Sequence, residues 1–241
     1  GMEPLSSPTK YFLMPALLVG FLIALPRRRT ELALVGSAAI VLSWLGDVLL
    51  SAPGDLGFLI GLGFFLLAHL AYIAQFTRSL RVRRVPLIAL VYVPWWVVLL
   101  IALTPYAGAL VVPVAIYGAV LAVSAATALG ANRIVAVGAL VFFVSDTLLG
   151  FKMFWPGFSL WQADFLIMLA YITGQGLIAL GDIGHDAAFS ILIDTGQDLG
   201  HQLGSADGHA RHPHRSRQNL LQTVAQLSQH FWLHLLHGRQ T

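Results

Sequence analysis

Cysteine is absent and charge is scarce, and each shortage excludes a class of protein. Without cysteine there is no disulfide framework and no thiolate metal site, although cysteine-free chains occur in any compartment. Only 10% of the 241 residues are charged, against roughly 25% in an ordinary soluble domain. A basic n-region and a small-residue cleavage site are also missing from the start GMEPLSS, which is therefore not expected to be a secretory signal peptide. What fills the chain instead is apolar: 57% of it is hydrophobic, as in an integral membrane protein.

A membrane-crossing helix needs about 20 mostly apolar residues. Seven stretches qualify, at residues 11–26, 32–51, 57–76, 86–103, 107–129, 134–151 and 161–181. They are parted by turn or charge signals: Arg27 to Thr30, SAPGD, the basic run Arg78 to Arg84, TPYAG, GANR and KMFWPG. The expected fold is an all-α polytopic transmembrane bundle with seven spans. Arginines occupy the loops after the first, third and fifth stretches and are absent after the second and fourth. The positive-inside rule then makes the arginine loops cytoplasmic, with Lys152 as the one exception. Tyr106, Trp155, Trp161 and Trp95 are candidate interfacial anchors.

Composition changes at residue 182, so the chain divides into a transmembrane domain, 1–181, and a tail, 182–241. The tail carries eight of the nine histidines and reads as disorder or a weak amphipathic surface helix. Leu220, Val224, Leu227, Phe231 and Leu235 stand at helical spacing within residues 219–237. His209, His212 and His214 have no carboxylate or cysteine at a useful spacing and read as solvated tail.

Against this apolar background two acidic residues stand out, Asp47 in GDVLL and Asp146 in SDTLLG. A carboxylate in hydrocarbon costs at least ~3 kcal/mol, so it is rarely present without a reason. A shift of 99 positions places Asp47 on Asp146, and Leu70, Ala71, Tyr72 and Ile73 on Leu169, Ala170, Tyr171 and Ile172. That register suggests a parallel internal repeat, related by an axis along the membrane normal. His69 falls opposite Met168, so the two halves would contribute different chemistry.

Polar groups at membrane depth must face the bundle interior and satisfy one another, so those on four stretches are expected to converge. They are Ser43 and Asp47; His69, Tyr72 and Gln75; Ser145 and Asp146; and Tyr171 and Gln175. For Ser43 and Ser145 helix-to-helix or helix-to-self hydrogen bonding is the simpler role. Asp47, Asp146 and His69 suit acid and base catalysis, with one aspartate donating a proton and the other, with His69, activating water. No HxxxH or ExxH spacing occurs within the apolar stretches, where His69 is the one histidine, so neither a metal nor another cofactor is expected.

The words GDVLL, GFFLLAHLAYI, VPVAIYG, GALVFFVSDTLLGF and AYITGQGLI resemble, in order and spacing, the YhhN family of integral-membrane lysoplasmalogenases, over residues 11–180. The resemblance implies a hydrolase of the vinyl ether bond of lysoplasmalogens, releasing a fatty aldehyde and glycerophosphocholine or glycerophosphoethanolamine. The family's polar positions carry over as Asp47, His69, Tyr72 and Asp146, with Tyr171 and Gln175. Asp47, His69 and Asp146 are the expected catalytic residues, and Ser43, Tyr72, Ser145, Tyr171 and Gln175 are expected to bind substrate or to support the catalytic groups. The family usually has eight spans, and the first is the one expected to be missing. Partners would be the lyso-lipid and membrane lipid, with no nucleic acid; a bacterial cell membrane is the expected location. A small-solute or proton-coupled transporter is the alternative, since transporters also use intramembrane carboxylates and repeats. Pro94, Pro105 and Pro113 lie away from the aspartates, and helix breaks beside the polar residues are what transport would favour.

Overall fold

The computed structural model describes residues 6–25, 31–51, 54–82 and 84–207. Among the described residues every regular element is helical. The α-helices are α1 (Ser6–Ala24), α2 (Glu31–Leu50), α3 (Asp55–Ala74), α4 (Tyr92–Ala107), α5 (Val111–Ala128), α6 (Arg133–Phe154) and α7 (Ala163–Asp207). A π-helical turn, Gln75–Ser79, prolongs α3, and short 3₁₀ turns precede α4 and α5.

Five stretches are long and apolar enough to cross a membrane: Glu31–Leu50, Leu56–Ser79, Leu87–Ala128, Arg133–Phe154 and Ala163–His185. A shorter apolar helix covers Phe12–Ala24. Leu87–Ala128 has 42 residues, far beyond the roughly 20 that one crossing needs. It is interrupted at Gly108, whose φ of 52° suits glycine. Beyond that break α5 packs back on α4, with Trp96 Nε1 donating to the Ala115 carbonyl at 3.0 Å and the indole lying against Gly118. Leu34, Ile88, Ile101, Val112 and Leu180 are exposed on the outside of the helices. Such a surface suits lipid rather than water, and the chain is a multi-pass membrane protein.

The interior is close-packed where small residues let backbones meet. A Cβ on Gly174 of α7 would lie 2.7 Å from the Phe142 nitrogen and 2.8 Å from the Gly138 carbonyl oxygen of α6. The start of α6 is capped by Asn132, whose Oδ1 accepts from the Ile134 and Val135 amides at 3.1 and 2.9 Å. Asn132 Nδ2 also donates to the Gly181 carbonyl at 2.9 Å, tying the foot of α6 to α7.

Helix α7 passes without a break through residue 182, where the composition changes. Asp182 is 1% exposed and accepts a hydrogen bond from Gln75 Nε2, and Ile183 packs against the core. Residues 1–189 form one compact unit and 190–241 a second, whose described part, 190–207, is helical. The cluster His209, His212, His214 and the segment 219–237 lie outside the described residues.

Candidate active site

Asp47 and Asp146 line one cavity of about 210 Å³ between α2, α3, α6 and α7. Local packing brings them there. Gly46 leaves room for the Phe65 ring of α3, which lies where a Cβ would come within 2.5 Å of it, so α2 and α3 pack tightly beside Asp47. On the other side, Ser145 Oγ donates to the Ile167 carbonyl at 2.8 Å, holding α6 on α7 next to Asp146. The remaining polar lining is Ser51, Lys152, Asp164 and Tyr171. A water molecule occupies about 30 Å³ of liquid, so the space admits water together with part of a substrate.

Asp146 is the better-defined of the two acids. One carboxylate oxygen, Oδ2, accepts a hydrogen bond from the Tyr117 hydroxyl of α5 and lies 3.4 Å from His69 Nε2 of α3. The side chains of His69 and Asp146 are only 3% and 6% exposed. An ionised carboxylate only accepts, so the complementary histidine tautomer carries its proton on Nε2. Among the described residues His69 Nδ1 has no hydrogen-bond partner, and the ring is walled by Phe142 at 4.9 Å and Tyr117 at 5.7 Å between centroids. Asp47 interacts with the Tyr171 hydroxyl, which is buried and short of a well-formed hydrogen bond.

The other expected site residues separate into two groups. Tyr171 and Ser145 line the cavity with the aspartates. Ser43, Tyr72 and Gln175 meet one another outside its lining: the Tyr72 hydroxyl donates to Gln175 Oε1, and Gln175 Nε2 donates to Ser43 Oγ at 3.0 Å. All three are almost wholly buried, so they brace α2, α3 and α7 together. Gln75, at the end of the same face of α3, pairs with Asp182 rather than with the site. His69 reaches the cavity through Asp146 and is not part of its wall.

A second, apolar cleft of about 50 Å³ approaches Asp146 from the α4–α5 side, lined among others by Leu62, Trp95, Leu99, Val114 and Leu121. It shares Leu50, Phe65, Asp146, Leu149 and Met153 with the polar cavity. Asp146 thus stands where a polar and an apolar space meet. Trp95 belongs to this cleft and packs on Phe143 at 4.1 Å between ring centroids. Tyr106 and Trp155, with centroids 5.7 Å apart, and the 76% exposed Trp161 remain suited to an interface.

Three residues of the candidate site escape a reading of the sequence alone. Tyr117 sits in VPVAIYG, an otherwise apolar word, and only the fold shows that its hydroxyl meets Asp146. Lys152, in the last turn of α6, and Asp164, in the first turn of α7, look like ordinary surface charges until the cavity joins them to Asp47. Among the described residues no three His, Asp or Glu side chains gather into a metal-holding group.

Residues 5–181 match the sequence model of the YhhN family. No curated protein and no solved structure matches the chain.

Proposed function

The chain belongs to the YhhN family, and from that premise we propose that it is a membrane hydrolase cleaving the vinyl ether bond of lysoplasmalogens. The observation that carries the reading is the placement of two carboxylates from different helices on one cavity that meets an apolar cleft at Asp146. An amphiphile needs such a junction: polar space for glycerol and headgroup, apolar space for the start of its chain. In this reading seven helices cross the membrane with the arginine loops cytoplasmic. The α2–α3 and α6–α7 pairs descend from a duplication, each supplying one aspartate.

Vinyl ethers hydrolyse by protonation of the alkene carbon, followed by water attack on the oxocarbenium ion. Asp146 already accepts from Tyr117 and faces His69, so it takes the acceptor's part. Asp47 then donates its proton to the alkene carbon. The ion is attacked by a water whose proton passes to Asp146, and the resulting hemiacetal collapses. In the collapse Asp146 returns a proton to the departing glycerol oxygen and Asp47 recovers one from the hemiacetal hydroxyl, so both acids are reset. Fixed negative charge beside a cationic transition state adds electrostatic stabilisation in a site shielded from bulk water. Tyr117 and His69 hold the Asp146 carboxylate in place.

Purified protein in detergent, given a choline lysoplasmalogen, should release free aldehyde, and the saturated alkyl-ether analogue should be inert. Absence of aldehyde, together with counterflow of a labelled solute in proteoliposomes, would replace this reading with transport. Removing the Tyr117 hydroxyl deletes one hydrogen bond to a charged group, about 1.5–3 kcal/mol. Tyr117→Phe is therefore expected to lower kcat by roughly 10- to 100-fold with little change in KM, checked by steady-state aldehyde release.

A further inference from the structure

Lys152 is the basic residue that departs from the arginine pattern of the loops, and the cavity offers a reason. It lies in the last turn of α6, six residues beyond Asp146, which is ~9 Å of helix rise at ~1.5 Å per residue. Its Nζ pairs with Oδ1 of Asp164, in the first turn of α7, and both side chains line the cavity that holds Asp47 and Asp146. The Lys152 side chain is 35% exposed and that of Asp164 88%, so the pair stands at the mouth. Among the described residues lining this cavity Lys152 is the only cation, beside three carboxylates.

An ion pair this exposed contributes about 0–1 kcal/mol to stability and is a weak clamp between helices. The same weakness makes it easy to open. A zwitterionic phosphodiester brings one negative and one positive group, so it can exchange partners with the pair and leave no charge uncompensated. A headgroup with phosphate alone would free Asp164 and add negative charge next to three acids. We propose that the Lys152–Asp164 pair recognises the headgroup of a zwitterionic phosphodiester lyso-lipid, Lys152 taking the phosphate and Asp164 the ammonium. The rise between Asp146 and Lys152 suits a glycerol phosphate lying between the reacting ether and the mouth. This assignment rests on the hydrolase reading of the same cavity and adds a basis for headgroup choice to it.

The test compares three vinyl ether substrates, with phosphocholine, with phosphoglycerol and with no headgroup, in the wild type, Lys152→Ala and Asp164→Ala. Lys152→Ala should raise KM for the phosphocholine substrate by about tenfold, the worth of one charge-assisted contact, with kcat nearly unchanged. The rise in KM should be much smaller for the headgroup-free substrate. Asp164→Ala should raise KM for phosphocholine and narrow the preference over phosphoglycerol. Equal effects of Lys152→Ala on all three substrates, or none on any, would overturn the proposal. Calorimetric binding of the non-hydrolysable alkyl-ether lysophosphocholine to wild type and Lys152→Ala separates the two readings. Lys152-dependent binding without aldehyde release would refute hydrolysis and keep the recognition site; aldehyde release with Lys152-independent binding would refute the recognition site alone.

Discussion

Asp47→Asn and Asp146→Asn are each expected to lower kcat for aldehyde release by ~10²–10⁴-fold, the usual worth of a positioned acid or base. Asparagine keeps the shape of the side chain and its carbonyl oxygen, so the hydrogen bond that Asp146 accepts from Tyr117 has a substitute acceptor. What it loses is the ability to give and take a proton. The folded state should survive both changes, because removing a carboxylate from membrane depth removes a costly group. Groups that act as one unit are not additive in their effects. The double variant should therefore be little worse than the worse single one. Steady-state kinetics on the two single variants and the double checks this, with thermal denaturation as the control for folding. A variant that keeps activity within a few-fold of wild type would remove that aspartate from the chemistry.

Gly174→Val should be strongly damaging although it touches no charged group. Even a methyl at this position meets the Phe142 backbone nitrogen at 2.7 Å and the Gly138 carbonyl oxygen at 2.8 Å, and neither is a flexible side-chain tip that can swing away. Helices α6 and α7 must move apart, at a cost of typically 1–3 kcal/mol for overpacking. Since 1 kcal/mol shifts Tm by roughly 2–4 °C in a chain of this size, a fall of about 2–12 °C is expected. Phe142 is one turn before Asp146 on α6, so activity should fall further than the loss of folded protein explains. Gly176→Ala is the matched control: nothing lies within 4 Å of its Cβ position, and helix propensity favours alanine there. Equal melting of the two variants would contradict the close helix contact.

The apolar pattern was a good guide to where helices lie, because hydrocarbon demands long uninterrupted runs and every loop must return to polar residues. The expected stretch 32–51 became Glu31–Leu50, and 134–151 became Arg133–Phe154. It was a poor guide to where α7 ends. Composition turns polar at 182, yet a helix can continue with different neighbours, and Asp182 is buried because Gln75 supplies a partner that no local pattern announces. The candidate site was legible to the extent that cost marks a residue out. Asp47 and Asp146 were visible because charge is expensive in lipid, and they share a cavity. Tyr72, Gln175 and Ser43 were visible as polar groups, but their role as a brace depends on distances across three helices. Tyr117 was hidden because a tyrosine in an apolar helix is unremarkable until its hydroxyl has an address.

Hydrolysis in deuterium oxide tests the proposed chemistry at the reacting atom. If an acid in this cavity protonates the alkene carbon, aldehyde released by the wild-type protein and trapped at once by reduction should carry one deuterium on the carbon next to the carbonyl, as read by mass spectrometry. Asp47→Asn should form little of this product. Aldehyde released without deuterium at that carbon, or labelled aldehyde formed as fast by Asp47→Asn, would contradict protonation of the vinyl ether by the carboxylate pair.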